Sequence, residues 1–253
     1  MSGFSRRDLL IRGAALTGAA MVGGCDQLSQ SPAMRDILFK AEGLTQRVQR
    51  LILSEHSLAR EYAESDLSKH FRPNGSTNVR DAAYQAAAQN GFAGWRLKID
   101  GLVERPTEFT LGEVRRLPAR TQITRHDCVE GWSAIGKWTG AQLGPLLASV
   151  GLRPDARYVV FHCADKLSMF SNYYESIDLI DAFHPQTILA YEMNGAALPI
   201  PHGAPLRLRV ERQLGYKHAK YVQRIEVVSS FAKIGDGRGG FWEDRGYEWY
   251  AGI

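Results

Sequence analysis

Trp95, Leu97 and Ile99 alternate with Arg96, Lys98 and Asp100 in the stretch "GWRLKIDG". Successive side chains of a strand point to opposite faces, so a period of two predicts a strand with one buried face. This pattern constrains the fold most, because related runs return along the chain. "TQITRHDCV" reads as a second strand, "RYVVFHC" as a buried strand, and "APLRLRVER" and "VQRIEVVSS" as two more. "GAQLGPLLASVGL" reads as a short helix, and "AYQAAAQNGF" as another that stops at Asn90-Gly91. The elements follow no strict strand–helix–strand rhythm, which predicts an α+β domain.

The 253 residues are 44% apolar and 23% charged, ordinary for a globular chain with ample core. The net charge of +4 is spread along the chain, and no Lys/Arg block interleaves with aromatics. A nucleic-acid groove is therefore set aside. Arg6 and Arg7 precede "IRGAALTGAAMVGG", a run too short and too rich in Gly and Ala to span a bilayer but suited to export. A twin arginine marks the route that carries folded proteins, so residues 1–25 are expected to direct the chain to the periplasmic side of the cytoplasmic membrane. "VGGCDQ" resembles a lipobox, in which Cys25 becomes a lipidated first residue; simple cleavage nearby is the alternative.

Residues 26–70 are expected to hold an amphipathic helical segment and a linker. Ile37, Leu38, Ala41, Leu44, Val48, Leu51, Ile52, Leu58 and Tyr62 recur at helical spacing between Ser31 and about Ser65. "KHFRPNGSTN" then breaks regularity at Pro73 and Asn74-Gly75. Residues 71–253 form the main domain and close in "GDGRGGFWEDRGYEWYAGI", whose aromatics suit a packed closing loop better than a linker.

The three cysteines, Cys25, Cys128 and Cys163, include no CxxC pair and are too few for a disulfide scaffold. His126 and Cys128 lie two apart on the second strand and should share a face. That arrangement serves a Cys–His nucleophile, a metal site or an inert buried thiol, and the pattern leaves all three open. Arg207, Lys217 and Lys220 cluster near turns at Gly203, Pro205 and Gly215. Such cations beside free backbone N–H groups make an anion site, most naturally for phosphate, although basic strand residues ordinarily form a solvated face.

Taken together, "DCVEGWS", "LAYEMNGAALPIPHGAPLRLRV" and "GYKHAKYVQRIEV" resemble the molybdopterin-binding domain of the sulfite oxidase family, from about Phe71 to Ser230. The resemblance implies a mixed-sheet α+β fold, a Mo-molybdopterin cofactor and two-electron oxygen-atom transfer. It makes Cys128 the thiolate ligand to molybdenum, a soft donor suited to a metal already bound by sulfur. It puts His202 and Arg207 against the pterin, Lys220 and the backbone around His218 at the phosphate, Cys163 in the pterin lining, and Asn74 on a loop that reaches the cofactor. Where sulfite oxidases continue with glycine-asparagine-arginine, this chain has Val129-Glu130-Gly131-Trp132, and Glu130 would repel an anionic substrate.

The motif is closest to the bacterial branch containing the periplasmic methionine-sulfoxide reductase catalytic subunit. Reduction of an S-oxide or N-oxide is therefore the first expectation. Oxidation of a small sulfur-containing anion and a non-catalytic Mo-pterin relay are the alternatives. No sandwich dimerisation domain and no CxxCH haem motif follow, so the expected form is a monomer that exchanges electrons with a membrane-bound haem protein. Trp132, Tyr173, Tyr174 and His126 are candidates for shaping the substrate pocket. The rival chemistry is a zinc or Cys–His hydrolase using Cys128 with His126, His162 or His202.

Overall fold

The computed structural model describes residues 31–253 apart from 55, 169 and 170. The twin arginine and Cys25 lie outside the described residues. The chain divides into two compact units, Met1–Gln49 and Arg50–Ile253. None of the described helices is long and apolar enough to cross a membrane.

Helix α1 runs over Pro32–Ile52 and stops well before the end of the periodic stretch. Leu58 and Tyr62 are not helical. Beyond the helix the chain is extended, with Tyr62 N donating to the Ile123 carbonyl at 2.9 Å and Glu61 bridging Thr124. Strand pairing outcompetes helical periodicity because that neighbouring strand has a free edge to cover.

Among the described residues ten strands build two sheets. The first has the order β2-β1-β10-β5-β6, with β1 Arg96–Gly101, β2 Thr107–Thr110, β5 Tyr158–Lys166, β6 Asn172–Asp178 and β10 Val222–Val228. The β1–β10 pair is parallel and the others antiparallel, so the sheet is mixed. The second has the order β3-β4-β7-β8, with β3 Ala119–Cys128, β4 Trp132–Gln142, β7 Ile188–Met193 and β8 Ala196–Ala197; β9, Arg207–Arg209, also pairs with β7. Helices α2 (Ala82–Gln89), α3 (Leu111–Arg116), α4 (Leu143–Val150) and α5 (Leu179–Ala182) are short; α2 precedes β1 and the other three lie between strands. This is the α+β fold with a mixed sheet expected from the sequence.

The alternation in β1 holds: Trp95, Leu97 and Ile99 are buried, while Arg96 and Lys98 are exposed. They meet Val159, Phe161, Ile225 and Val227 of the same sheet and Ala141, Leu189 and Leu208 of the other. Each such fully buried apolar side chain contributes about 1.5–3 kcal/mol. Edge strand β6 is covered by the C-terminal segment, where Phe241 N donates to Tyr174 O at 3.0 Å and Ser176 Oγ donates to the Gly239 carbonyl at 2.5 Å.

Candidate functional site

Strands β3 and β4 form a hairpin in register from Ala119↔Ala141 to Cys128↔Trp132. The connection is the three residues Val129-Glu130-Gly131, closed by Gly131 N to Cys128 O at 3.0 Å. Gly131 sits at φ +84°, the left-handed conformation that a three-residue hairpin loop requires at its last position. Gln122, Thr124, His126 and Cys128 fall on the buried side of β3, as their two-residue spacing predicts. Cys128, last on that face, opens into a cleft of about 640 Å³. Its wall combines Asn74, Gly75 and Ser76, the Val129-Glu130 tip, Asp165 and Leu167, Tyr173, Tyr216, His218 and Lys220, and the C-terminal Trp242 and Tyr247.

Behind this wall lies an uncompensated cation. The Arg207 guanidinium is fully buried, with Cζ 5.0 Å from the centroid of Trp138. It donates to the His202 carbonyl at 3.1 Å and to Asn74 Oδ1 at 3.4 Å, and its Nε has no partner. Among the described residues it has no salt-bridge partner. Its neighbour Arg209 differs: Nη2 and Nε meet Glu211 at 2.6 and 2.8 Å. Burial, followed by the Arg209 charge, pulls Arg207 down to about 9. Lys220 donates to the carbonyls of Ser76 and Pro201, and burial with Arg207 pulls it down to about 7. Gly203, at φ +111°, permits this crowding, since a Cβ there would lie 2.9 Å from Cβ of Lys220 and 3.1 Å from Cβ of Arg207.

Two buried histidines pack together here, His218 on the cleft wall and His126 behind it. The rings of His126 and His218 meet edge to face at 5.1 Å. His218 Nε2 bonds the Gln213 carbonyl at 3.0 Å, and its Nδ1 has no partner. Burial comes first and neighbouring charge second in pulling both histidines well below the ordinary value, so both are neutral. Gly215 leaves the space His126 occupies, because a Cβ there would sit 2.5 Å from Cε1 and Nε2.

The Cys128 thiol is pushed up, mainly by burial and also by the Glu130 charge, against a backbone N–H of Glu130 that favours the thiolate. Glu130 is held at the rim by Trp132 Nε1, which donates to Oε2 at 3.0 Å, with Arg72 at 3.9 Å.

Of the residues singled out in the sequence, Asn74, Cys128, His218 and Lys220 meet on the cleft wall. Arg207 stands behind it, in contact with Asn74, and His202 follows behind Arg207. His202 Nδ1 is buried without a partner, and burial pulls its ring to about 4. Cys163 is not on the wall: it belongs to the main hydrophobic core, where burial pushes its thiol well up. Lys217 is also absent, because Glu175 and Glu243 hold its ammonium in the interior. The alternative of a solvated basic face does not hold for Arg207, which is fully buried and lies over Trp138, as does its neighbour Arg209. Among the proposed pocket aromatics, Tyr173 lines the cleft, whereas Tyr174 turns to Asp244 at 2.6 Å. Tyr216, Trp242 and Tyr247 were missed; the aromatic character of the closing segment was the available signal for the last two, and the motif GYKHAK holds the first.

A buried guanidinium without a carboxylate partner, unpartnered ring nitrogens and a thiol on the cleft wall suit a large anionic group with a soft metal. The chain belongs to the family of oxidoreductase molybdopterin-binding domains, whose model matches residues 84–233. It is 38% identical to a chain of Azospira oryzae named as a candidate protein-methionine-sulfoxide reductase subunit, YedZ1, over 98% of this chain and 88% of that one. It is 34% identical to the protein-methionine-sulfoxide reductase catalytic subunit MsrP of Ralstonia nicotianae, over 53% of this chain and 44% of that relative. The sulfane dehydrogenase SoxCD of Paracoccus pantotrophus shares the fold with a TM-score of 0.51 and 25% identity, over 59% of this chain and 45% of that one.

The residues fit the family's cofactor. Its phosphate would neutralise the buried cations, and its polar pterin edge would meet the unpartnered nitrogens. Among the described residues no cluster of three or more His, Cys, Asp or Glu side chains could hold a metal alone. A zinc hydrolase would need such a ligand set.

Proposed function

We propose that the chain is a Mo-molybdopterin oxidoreductase that reduces an S-oxide to a thioether, with Cys128 as the protein's thiolate donor to the metal. The observation that supports this most is the position of Cys128, the last inward side chain of β3, where it enters the same cleft as Lys220, His218 and Asn74. When bound, the cofactor supplies two-electron oxygen-atom transfer, with overall balance R2SO + 2H⁺ + 2e⁻ → R2S + H2O.

The chain's own residues hold and exclude. Arg207 and Lys220 supply positive charge to the anionic end, with Asn74 Oδ1 beside the Arg207 guanidinium. Tyr173, Tyr216, Trp242, Tyr247 and Leu167 present an apolar wall suited to a sulfur substituent and to exclusion of water. Glu130 places a carboxylate at the rim and disfavours anions. The likeness to SoxCD supports a second reading, oxidation of a sulfur compound, and Glu130 argues against an anionic one.

The names of the Azospira and Ralstonia relatives, both subunits, support electron delivery by a separate protein, read here as a membrane-bound haem protein. Arg6-Arg7 and Cys25 support folded export and attachment to the periplasmic face of the membrane.

The test follows reduced-viologen oxidation by Mo-loaded protein with methionine sulfoxide, an N-oxide and nitrate, and ferricyanide reduction with sulfite. Turnover of the S-oxide well above the others supports the reading. Sulfite oxidation without S-oxide reduction overturns it.

A further inference from the structure

Three of the cleft's walls are carried by segments distant in sequence: β6 with Tyr173, the turn around Tyr216 and His218, and the C-terminal segment with Trp242 and Tyr247. Each also contributes one charged side chain to a single point in the interior. Lys217 Nζ lies 2.5 Å from Oε1 of Glu175 and 2.5 Å from Oε1 of Glu243, and all three side chains are excluded from solvent. Glu175 is two residues from Tyr173, Lys217 is flanked by Tyr216 and His218, and Glu243 follows Trp242.

We infer that Glu175, Lys217 and Glu243 are positioning residues, one buried clamp that fastens the C-terminal segment so that Trp242 and Tyr247 form a fixed wall of the substrate cleft. The inference rests on the reading of this cleft as the substrate site.

The packing around the clamp is tight. Gly240 lies directly over it, and a Cβ there would run into the Glu243 carboxylate and come within 2.8 Å of Glu175 Oε1. Lys217 Nζ also lies 5.4 Å from the Trp249 ring. Outward from the clamp, the Trp242 and Tyr247 rings stack at 5.3 Å, and Tyr216 meets Tyr247 edge-on at 5.2 Å. The clamp and the wall are thus one continuous contact.

Two carboxylates facing one ammonium leave one negative charge in excess, which a dry interior disfavours. Oε2 of Glu175 and Oε2 of Glu243 are both buried without a partner. One proton on Glu175 makes the group neutral and gives its Oε2 a hydrogen to donate. Burial, with the Glu243 charge next, raises Glu175 well above the carboxylate range in agreement.

This makes the clamp's response to substitution specific. A glutamine at either position stands in for the protonated acid, so Glu175→Gln and Glu243→Gln should each stay within about threefold of the parent KM. The double variant leaves Lys217 without a counter-charge and should release the segment. In Mo-loaded double variant, KM for methionine sulfoxide should rise about tenfold or more with kcat within about threefold, and trypsin should cut at Arg238 or Arg245. Trp242→Ala should raise KM alike without that cleavage, which keeps the test valid if the double variant folds poorly. The inference is overturned if the double variant matches the singles in KM and in resistance to trypsin, or if Trp242→Ala leaves KM unchanged. Were the parent to reduce no S-oxide, the proposed function would fail, while the trypsin comparison would still decide whether the clamp holds the segment.

Discussion

Nη1 of Arg209 lies 3.0 Å from Nδ1 of His126. A guanidinium has only donors, so Nδ1 must accept and the imidazole proton sits on Nε2. That Nε2 is buried with no partner, a donor packed against Gly215 and the His218 ring behind the cleft wall. Gly215→Ala would place a methyl 2.5 Å from this nitrogen. The expected result is a folded protein destabilised by about 1–3 kcal/mol with reduced Mo per chain. Denaturant titration and metal analysis check it; unchanged Mo would detach His126 from the cofactor.

Arg207 predicts a trade between stability and loading. Its buried charge has no carboxylate partner, so Arg207→Met removes an uncompensated cation while keeping comparable bulk. The cofactor-free variant should be more stable by about 1 kcal/mol, or about 2–4 °C in Tm. Its Mo content should fall severalfold. A lower Tm in the cofactor-free state would mean that stacking on Trp138 outweighs the buried charge.

Lys220 gives the cleft a pH dependence. Its value of about 7 leaves it largely neutral above that pH when the cleft holds no anion. An anion favours the charged form, so binding takes up a proton and weakens as pH rises through 7. Sulfate keeps one charge state in this range and is the suitable probe. Cofactor-free protein should lose up to about tenfold in sulfate affinity between pH 7.5 and 8.5 with uptake approaching one proton, and Lys220→Met should bind weakly with no slope. Equal slopes in calorimetry of both proteins would remove Lys220 from the anion site.

The leader and Cys25 carry a cellular prediction. Arg6→Lys with Arg7→Lys should retain Mo-loaded protein in the cytoplasm. Cys25→Ala should release exported protein in soluble form, and salt washing should not extract the parent. Fractionation and intact mass decide it: an unmodified, soluble parent would remove the anchor.

The face shared by His126 and Cys128 was legible because a period of two survives any packing of β3. The same held for β1, where polar and apolar residues alternate cleanly. Helical spacing misled at Leu58 and Tyr62, where a free strand edge captured the chain. A solvated face was an open alternative for Arg207 because sequence alternation cannot show that Trp138 and the buried Arg209–Glu211 pair lie against it. Lys217 looked like a partner of Lys220, yet its neighbours Glu175 and Glu243 lie 42 and 26 residues away along the chain. The aromatic wall was likewise illegible as a wall, since Tyr173, Tyr216 and Trp242 meet only through tertiary contacts.

Sulfur counting at the metal tests the central claim most directly, that Cys128 joins a two-sulfur pterin ligand at molybdenum. X-ray absorption at the Mo edge should show three sulfur neighbours in the parent and two in Cys128→Ser, with activity lowered at least about 100-fold in the variant. An unchanged sulfur count in Cys128→Ser, or zinc in place of molybdenum in the parent, would contradict it.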